Sequence, residues 1–402
     1  MPEHPCHRSS ISRRQALAGL AALVAPACSR KPAAFNPQAP AAAVSVARCG
    51  SYGAELTPTL GRMFDQLGGL GKLVAGKTVA LKLNLTGGPR ERFGIVPSEI
   101  SHYTHPAVVG ATVRHLAAAG AKRIRVLEGC FGSNDPLEEF MIDAGWDPGD
   151  LLNAAPGVEM ENTNLLGRGE RYHRLMAPRG AYIFPGFDLN QAWAESDVVV
   201  SIAKLKEHGT VGITLGMKNM FGATPITIYG DGAGKDEPSI DARGGRGEIM
   251  HEGKRQPPKS APQELDPSTP RDDHYRMPRI IVDVCAALPV HLTIIDGITT
   301  MLGGEGPWMG RTMRMGSPGV LIAGLNPVCT DAVGVAIMGY DPAAGHGQPP
   351  FDRCDSFLEL AEMRGLGTRD MRRIDVRGTP IKDAVYPFRK HRPSGFPGSN
   401  WI

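Results

Sequence analysis

The chain has 402 residues, a formal net charge of +3 and 42% hydrophobic residues. That length supports one large domain or two ordinary ones with a sizeable core. The near-balanced charge, with no long basic run beyond the extreme N-terminus, argues against a nucleic-acid partner.

Ser12-Arg13-Arg14-Gln15-Ala16-Leu17 matches the twin-arginine export pattern. An apolar stretch from Leu17 to Val24 follows, too short to span a bilayer, and Ala25-Pro26-Ala27 reads as a small-x-small cleavage site. Residues 1–27 are therefore expected to be a signal peptide that directs the chain to the export machinery and the periplasm. Cys28 directly after it allows lipidation and membrane anchoring, although the leucine usual in that pattern is missing. Residues 28–43 are rich in Pro and Ala and read as a tether. Residues 44–402 read as a single domain.

Within that domain strands and helices alternate. Apolar runs at 43–49, 77–85, 123–129, 197–206, 291–298, 319–326 and 372–378 read as strands. Helical spacing predicts helices over 57–74, 105–120, 135–145, 277–289, 328–339 and 356–367, with Thr104 capping the second and Gly120 ending it. Residues 182–187 suit a small hairpin. The strands are apolar nearly throughout, as strands covered on both faces are. The fold class is therefore three-layer α/β, a mostly parallel sheet with helices on both faces. Residues 230–276, rich in Gly, Pro and charge, read as a long loop insertion, either disordered or lying on the surface.

Ligands of open parallel sheets bind beyond the carboxyl ends of the strands. Five apolar strands end in polar groups there: Lys82 and Asn84; Glu128; Lys204, Lys206 and His208; Asp296; and Asn326. Singly, each has a plain alternative as a solvated strand end or turn-former. Lys82 and Lys204 resist it, because an unpaired ammonium inside an apolar strand is costly. Two glycine-rich stretches, 214–222 and 296–310, add backbone donors suited to an anion. "GDGAGKDE" (230–237) is rejected as a phosphate loop, since no Ser or Thr follows its lysine and no strand leads into it. Seven scattered cysteines offer no iron–sulfur or zinc ligand set, so no iron–sulfur cluster is expected, and Cys130, Cys285 and Cys329 read as small buried hydrophobes.

"KLNL" at 82–85, "THP" at 104–106, "KLKEHGTVGITLGMKNMFG" at 204–222, "DGI" and "GGEGP" within 296–307, and "NPVCTDA" at 326–332 together resemble the family called domain of unknown function 362. The resemblance runs from about residue 78 to 378 and implies the fold and the site location, not a reaction. Relatives often carry a ferredoxin-like module with closely spaced cysteines, which this sequence does not show. The resemblance implies that His105, Lys204, Lys206, His208, Lys218 and Asn219 belong to the site. With Lys82 and Asn84 these groups suit binding of a phosphate or carboxylate. His208, Lys204 and Asp296 are the expected catalytic groups. Glu128, Asp296, Glu305 and Asp331 are expected to supply an acid, a base or oxygen ligands for a divalent metal ion. The leading reading is an exported enzyme acting on a small anion. A non-catalytic anion-binding or maturation protein and a redox protein with a bound cofactor are the alternatives. A structural network of lysines paired with carboxylates competes with all three.

Overall fold

Successive residues of a strand point to opposite faces of its sheet, so a strand apolar at every position needs cover on both sides. The computed structural model describes residues 33–241, 243–310 and 313–391, and meets that need. Eight strands form the central sheet: Val44–Arg48 (β1), Thr78–Lys82 (β2), Arg123–Glu128 (β3), Val158–Asn162 (β4), Val198–Lys204 (β5), Leu292–Gly297 (β6), Val320–Gly324 (β7) and Val376–Gly378 (β8). Their order is β8-β1-β7-β6-β5-β2-β3-β4. In β5, Val198, Val200 and Ile202 pack with helices Leu56–Gln66 (α1) and Pro106–Ala118 (α2). Val199 and Ala203 pack on the other face with helices Leu215–Asn219 (α3), Asp273–Ala287 (α4), Pro327–Ile337 (α5) and Phe357–Met363 (α6). The three-layer α/β architecture follows. Ribbon His173–Met176 with Gly186–Leu189 is the small hairpin.

All neighbouring strands are parallel except around β7, which is antiparallel to both β1 and β6. Among its described residues, the link from β6 to β7 carries a short ribbon, Thr300–Leu302 with Arg314–Gly316, and one 3-10 turn, Pro307–Met309, too short to act as a crossover, so the chain turns back on itself. Asn326 therefore leaves the sheet at the end opposite the other strand termini. It caps α5 by accepting the Cys329 N–H at 3.1 Å. The strand-end pattern is thus corrected from five strands to four.

Three further expectations are corrected. The cap of α2 is His105, whose Nδ1 accepts the Ala107 N–H at 3.1 Å, while the Thr104 hydroxyl donates to Ile202 O at 2.9 Å. The described part of the 230–276 segment is packed into the body: Arg246, Ile249 and Met250 are buried, and Glu264 meets Arg276 of α4 at 2.6 Å with both side chains at 0% exposure. A few apolar anchors and one neutralised pair are enough to dock a stretch otherwise rich in Gly and charge. The described end of the tether is docked too. Ala39 is buried, and Arg373 donates to Asn36 O at 3.0 Å.

The twin-arginine stretch, the cleavage site and Cys28 lie outside the described residues. Among those described, no helix is long and apolar enough to cross a membrane, and Cys49, Cys130, Cys285, Cys329 and Cys354 are buried free thiols.

Candidate functional site

Parallel register places Lys204 at the end of β5 directly beside Asp296 of β6. Their side chains share a face and meet at 2.9 Å, both at 0% exposure. Asp296 also accepts the Tyr52 hydroxyl at 3.0 Å and the His105 N–H at 3.1 Å. Lys204 donates to Glu99 O at 3.0 Å and to the Tyr52 oxygen at 3.0 Å. The His105 ring stacks on Tyr52 with centroids 3.7 Å apart. Burial lowers the Lys204 pKa against the pull of Asp296, and brings that of His105 down to about 4. These groups form a closed network and do not line the cavity described below. Lys204 and Asp296, expected as catalytic groups, and His105, expected to contact the ligand, thus sit inside the scaffold and outside that cavity.

A second pair stands at the ends of β2 and β3. Lys82 is ion-paired to Glu128 and donates to Leu83 O at 2.8 Å. Glu128 also accepts the N–H groups of Leu85 at 3.2 Å and Gly129 at 3.1 Å. Burial penalises charge on both partners, lowering the pKa of Lys82 and raising that of Glu128. Gly222 lies against this pair, where a Cβ would stand 2.9 Å from Lys82 Nζ. Asn219 of α3 accepts from Asn84 at 3.0 Å and donates to Ser201 Oγ at 3.0 Å, tying the helix to β5. Among the described residues the buried Asn84 Oδ1 has no hydrogen-bond partner.

Above these pairs lies a cavity of about 450 Å³. Asn84, Glu128, Lys206, His208, Lys218, Asn219 and Glu305 line it, and Lys82 stands behind Glu128. Lys206 extends past β5 and donates to His102 O at 2.7 Å and Glu305 O at 2.9 Å, two of its three N–H groups. Burial holds its pKa well below the usual lysine value. Lys218, on the last turn of α3, places Nζ 4.6 Å from the centre of the Phe221 ring. Burial brings its pKa down to about 7; Glu305 opposes this, and Arg246 and Lys82 add to it. Glu305 accepts the Gly209 N–H at 2.8 Å and stands 3.9 Å from His208 Nδ1. Burial raises the Glu305 pKa, but His208 and nearby amides outweigh it and leave it below the usual range. Nδ1 of His208 accepts the Thr210 N–H at 3.1 Å, so the ring proton resides on Nε2. Burial lowers the His208 pKa to about 3, more than Glu305 raises it, so His208 is a neutral donor.

Asp331 lies elsewhere. It accepts the N–H groups of Gly216 and Met217, both at 2.8 Å, and burial raises its pKa to about 8. The amides opening α3, expected to face an anion, are thus taken by a carboxylate of α5. The four carboxylates proposed for a metal are separated: Glu128 sits with Lys82, Asp296 with Lys204, Glu305 with Gly209, and Asp331 at α3. Among the described residues no three His, Cys, Asp or Glu side chains gather as a metal set.

Among the site residues that escape sequence reasoning are Arg246 and His251, both from the 230–276 segment. Arg246 donates through Nε to Thr224 O at 2.8 Å, and burial lowers its pKa to about 10. Burial lowers that of His251 to about 3. The one local signal is the apolar pair Ile249-Met250 between them, which anchors the segment. Phe131 and Trp308, 48% and 43% exposed, add aromatic wall.

Fold and cavity define an α/β protein with buried cations at the carboxyl ends of its parallel strands. A family model described as domain of unknown function (DUF362) matches residues 79–336, and the chain belongs to that family. It is 28% identical over 304 residues, 75% of each chain, to the Thylakoid-associated protein sll1697 of Synechocystis sp..

The closed Lys204–Asp296 network makes a direct prediction. Lys204→Ala and Asp296→Ala should each destabilise the protein by about 3–5 kcal/mol, because each leaves a buried charge unpaired. The double variant should lose less than the sum of the two. Denaturant unfolding measures this, and single variants near wild-type stability would contradict a structural role.

Proposed function

We propose that the protein binds a small anion, a phosphate or carboxylate compound, in the cavity between Lys206, Lys218 and Arg246, and acts on it as an enzyme. One observation carries the reading. Glu128 is neutralised by Lys82, and Glu91 sits exposed, which among the described residues leaves three cations facing the one remaining carboxylate, Glu305. Lys206 and Arg246 rest on neutral oxygens rather than carboxylates. Such a cluster is electrostatically strained, and an entering anion relieves it. His208 offers a neutral Nε2–H to the bound molecule, and Glu305, held ionised, offers a proton acceptor beside it.

Sulfate tests the site, because its charge is constant around neutrality. Sulfate should raise the melting temperature, and more strongly as the pH falls through about 7, where Lys218 gains its proton and adds a positive charge. Lys218→Met should remove that pH dependence, and Arg246→Gln should weaken sulfate binding about tenfold or more. Stabilisation that ignores pH and both substitutions would contradict the assignment.

Export belongs to the same proposal. The twin arginines support it, and the relative's name associates that protein with thylakoids. Replacing Arg13 and Arg14 by Lys should leave an unprocessed precursor in the cytoplasm. Unchanged processing and export would overturn the twin-arginine route.

A further inference from the structure

The cations around the cavity are not equivalent. Lys82 is paired with Glu128, Lys206 rests on two carbonyls, and Arg246 rests on the carbonyl of Thr224. Lys218 forms neither an ion pair nor a hydrogen bond among the described residues. Its Nζ faces the Phe221 ring at 4.6 Å, and its side chain forms part of the cavity wall. An apolar ring on one side and other cations nearby both disfavour the ammonium form. The free amine of a lysine so placed is a nucleophile toward carbonyl carbon. Its pKa near 7 agrees with this placement.

We propose that Lys218 forms an imine with a carbonyl compound that carries an anionic group, a 2-oxo acid, whose carboxylate is held by Arg246 and Lys206. The inference rests on the anion-site reading above and names the substrate class for it. Three features of the same cavity suit this ligand. Arg246 and Lys206 line it and supply donors for the carboxylate. His208 lines it with its proton on Nε2, available to the carbonyl oxygen. Asn84 Oδ1, buried on its wall without a partner among the described residues, is an acceptor for the hydroxyl that forms during addition.

The chemistry balances without an oxidant or reductant. The Nζ lone pair forms the new C–N bond while the carbonyl π pair moves to oxygen. One proton passes from nitrogen to that oxygen and gives a carbinolamine. A second proton, from solvent, lets the C–O bond break while the His208 Nε2–H stays hydrogen-bonded to the departing oxygen. One water leaves and a protonated imine remains, which draws electrons from the neighbouring carbon.

Borohydride trapping tests the proposal on the full-length protein. Incubation with pyruvate and borohydride should add one reduced pyruvate per chain, and peptide mapping should place it on Lys218. Sulfate should suppress the adduct, and Lys218→Arg should abolish it. Mapping the wild-type protein keeps the test decisive even where a variant fails to fold. No adduct, or adducts spread over other lysines and indifferent to sulfate, would overturn the imine. If sulfate stabilises the protein while pyruvate gives no Lys218 adduct, the imine alone falls. If sulfate also fails to stabilise it, the anion site falls with it.

Discussion

A cation carried into a dry interior must be answered by a carboxylate, by oriented carbonyl dipoles or by a ligand. This chain carries Lys82, Lys204, Lys206, Lys218 and Arg246 to one end of its sheet, and they are answered in three different ways. Lys204 has Asp296 beside it in the parallel register. Lys82 has Glu128 on the adjacent strand. Lys206 and Arg246 have carbonyl oxygens. Among the described residues Lys218 has an aromatic ring alone. The sequence of answers, from full neutralisation to none, runs from scaffold to cavity and divides one charged region into two parts.

The division follows from where each strand stops. Lys204 is the last residue of β5, still held in register, and meets its neighbour's carboxylate. Lys206 lies two residues further along, past the register, where no neighbouring strand offers a carboxylate opposite it. Tyr52, Glu99 and His105 then seal the Lys204 side, whereas α3 and the 230–276 segment leave open space on the other. Asp331 completes the arrangement from a distance. By taking the Gly216 and Met217 amides it fixes the start of α3, the helix that carries Lys218 and Asn219.

Much of this was legible in the sequence. Unbroken apolar strands alternating with amphipathic helices are sufficient for a three-layer fold, and polar residues at strand ends point to the edge where the cavity lies. Asn84, Lys206, His208, Lys218 and Glu305 meet at the cavity as their positions suggest. What a one-dimensional pattern could not carry was direction and partnership. The reversal of β7 depends on the absence of a crossover helix, so Asn326 looked like a site residue and is a helix cap. Lys204 and Lys206 look alike in sequence, yet register with β6 decides that one is neutralised and the other faces the cavity. Arg246 and His251 lay hidden because a segment poor in apolar residues can still dock through Ile249, Met250 and the Glu264–Arg276 pair.

The central claim is that the three cations left without carboxylates exist to hold an anion. Crystals of the protein soaked in selenate test it directly, because selenium marks the anion through its anomalous scattering. The account predicts one strong anomalous peak inside the cavity, within hydrogen-bonding distance of Lys206, Lys218 and Arg246. An empty cavity with peaks confined to surface lysines would contradict it.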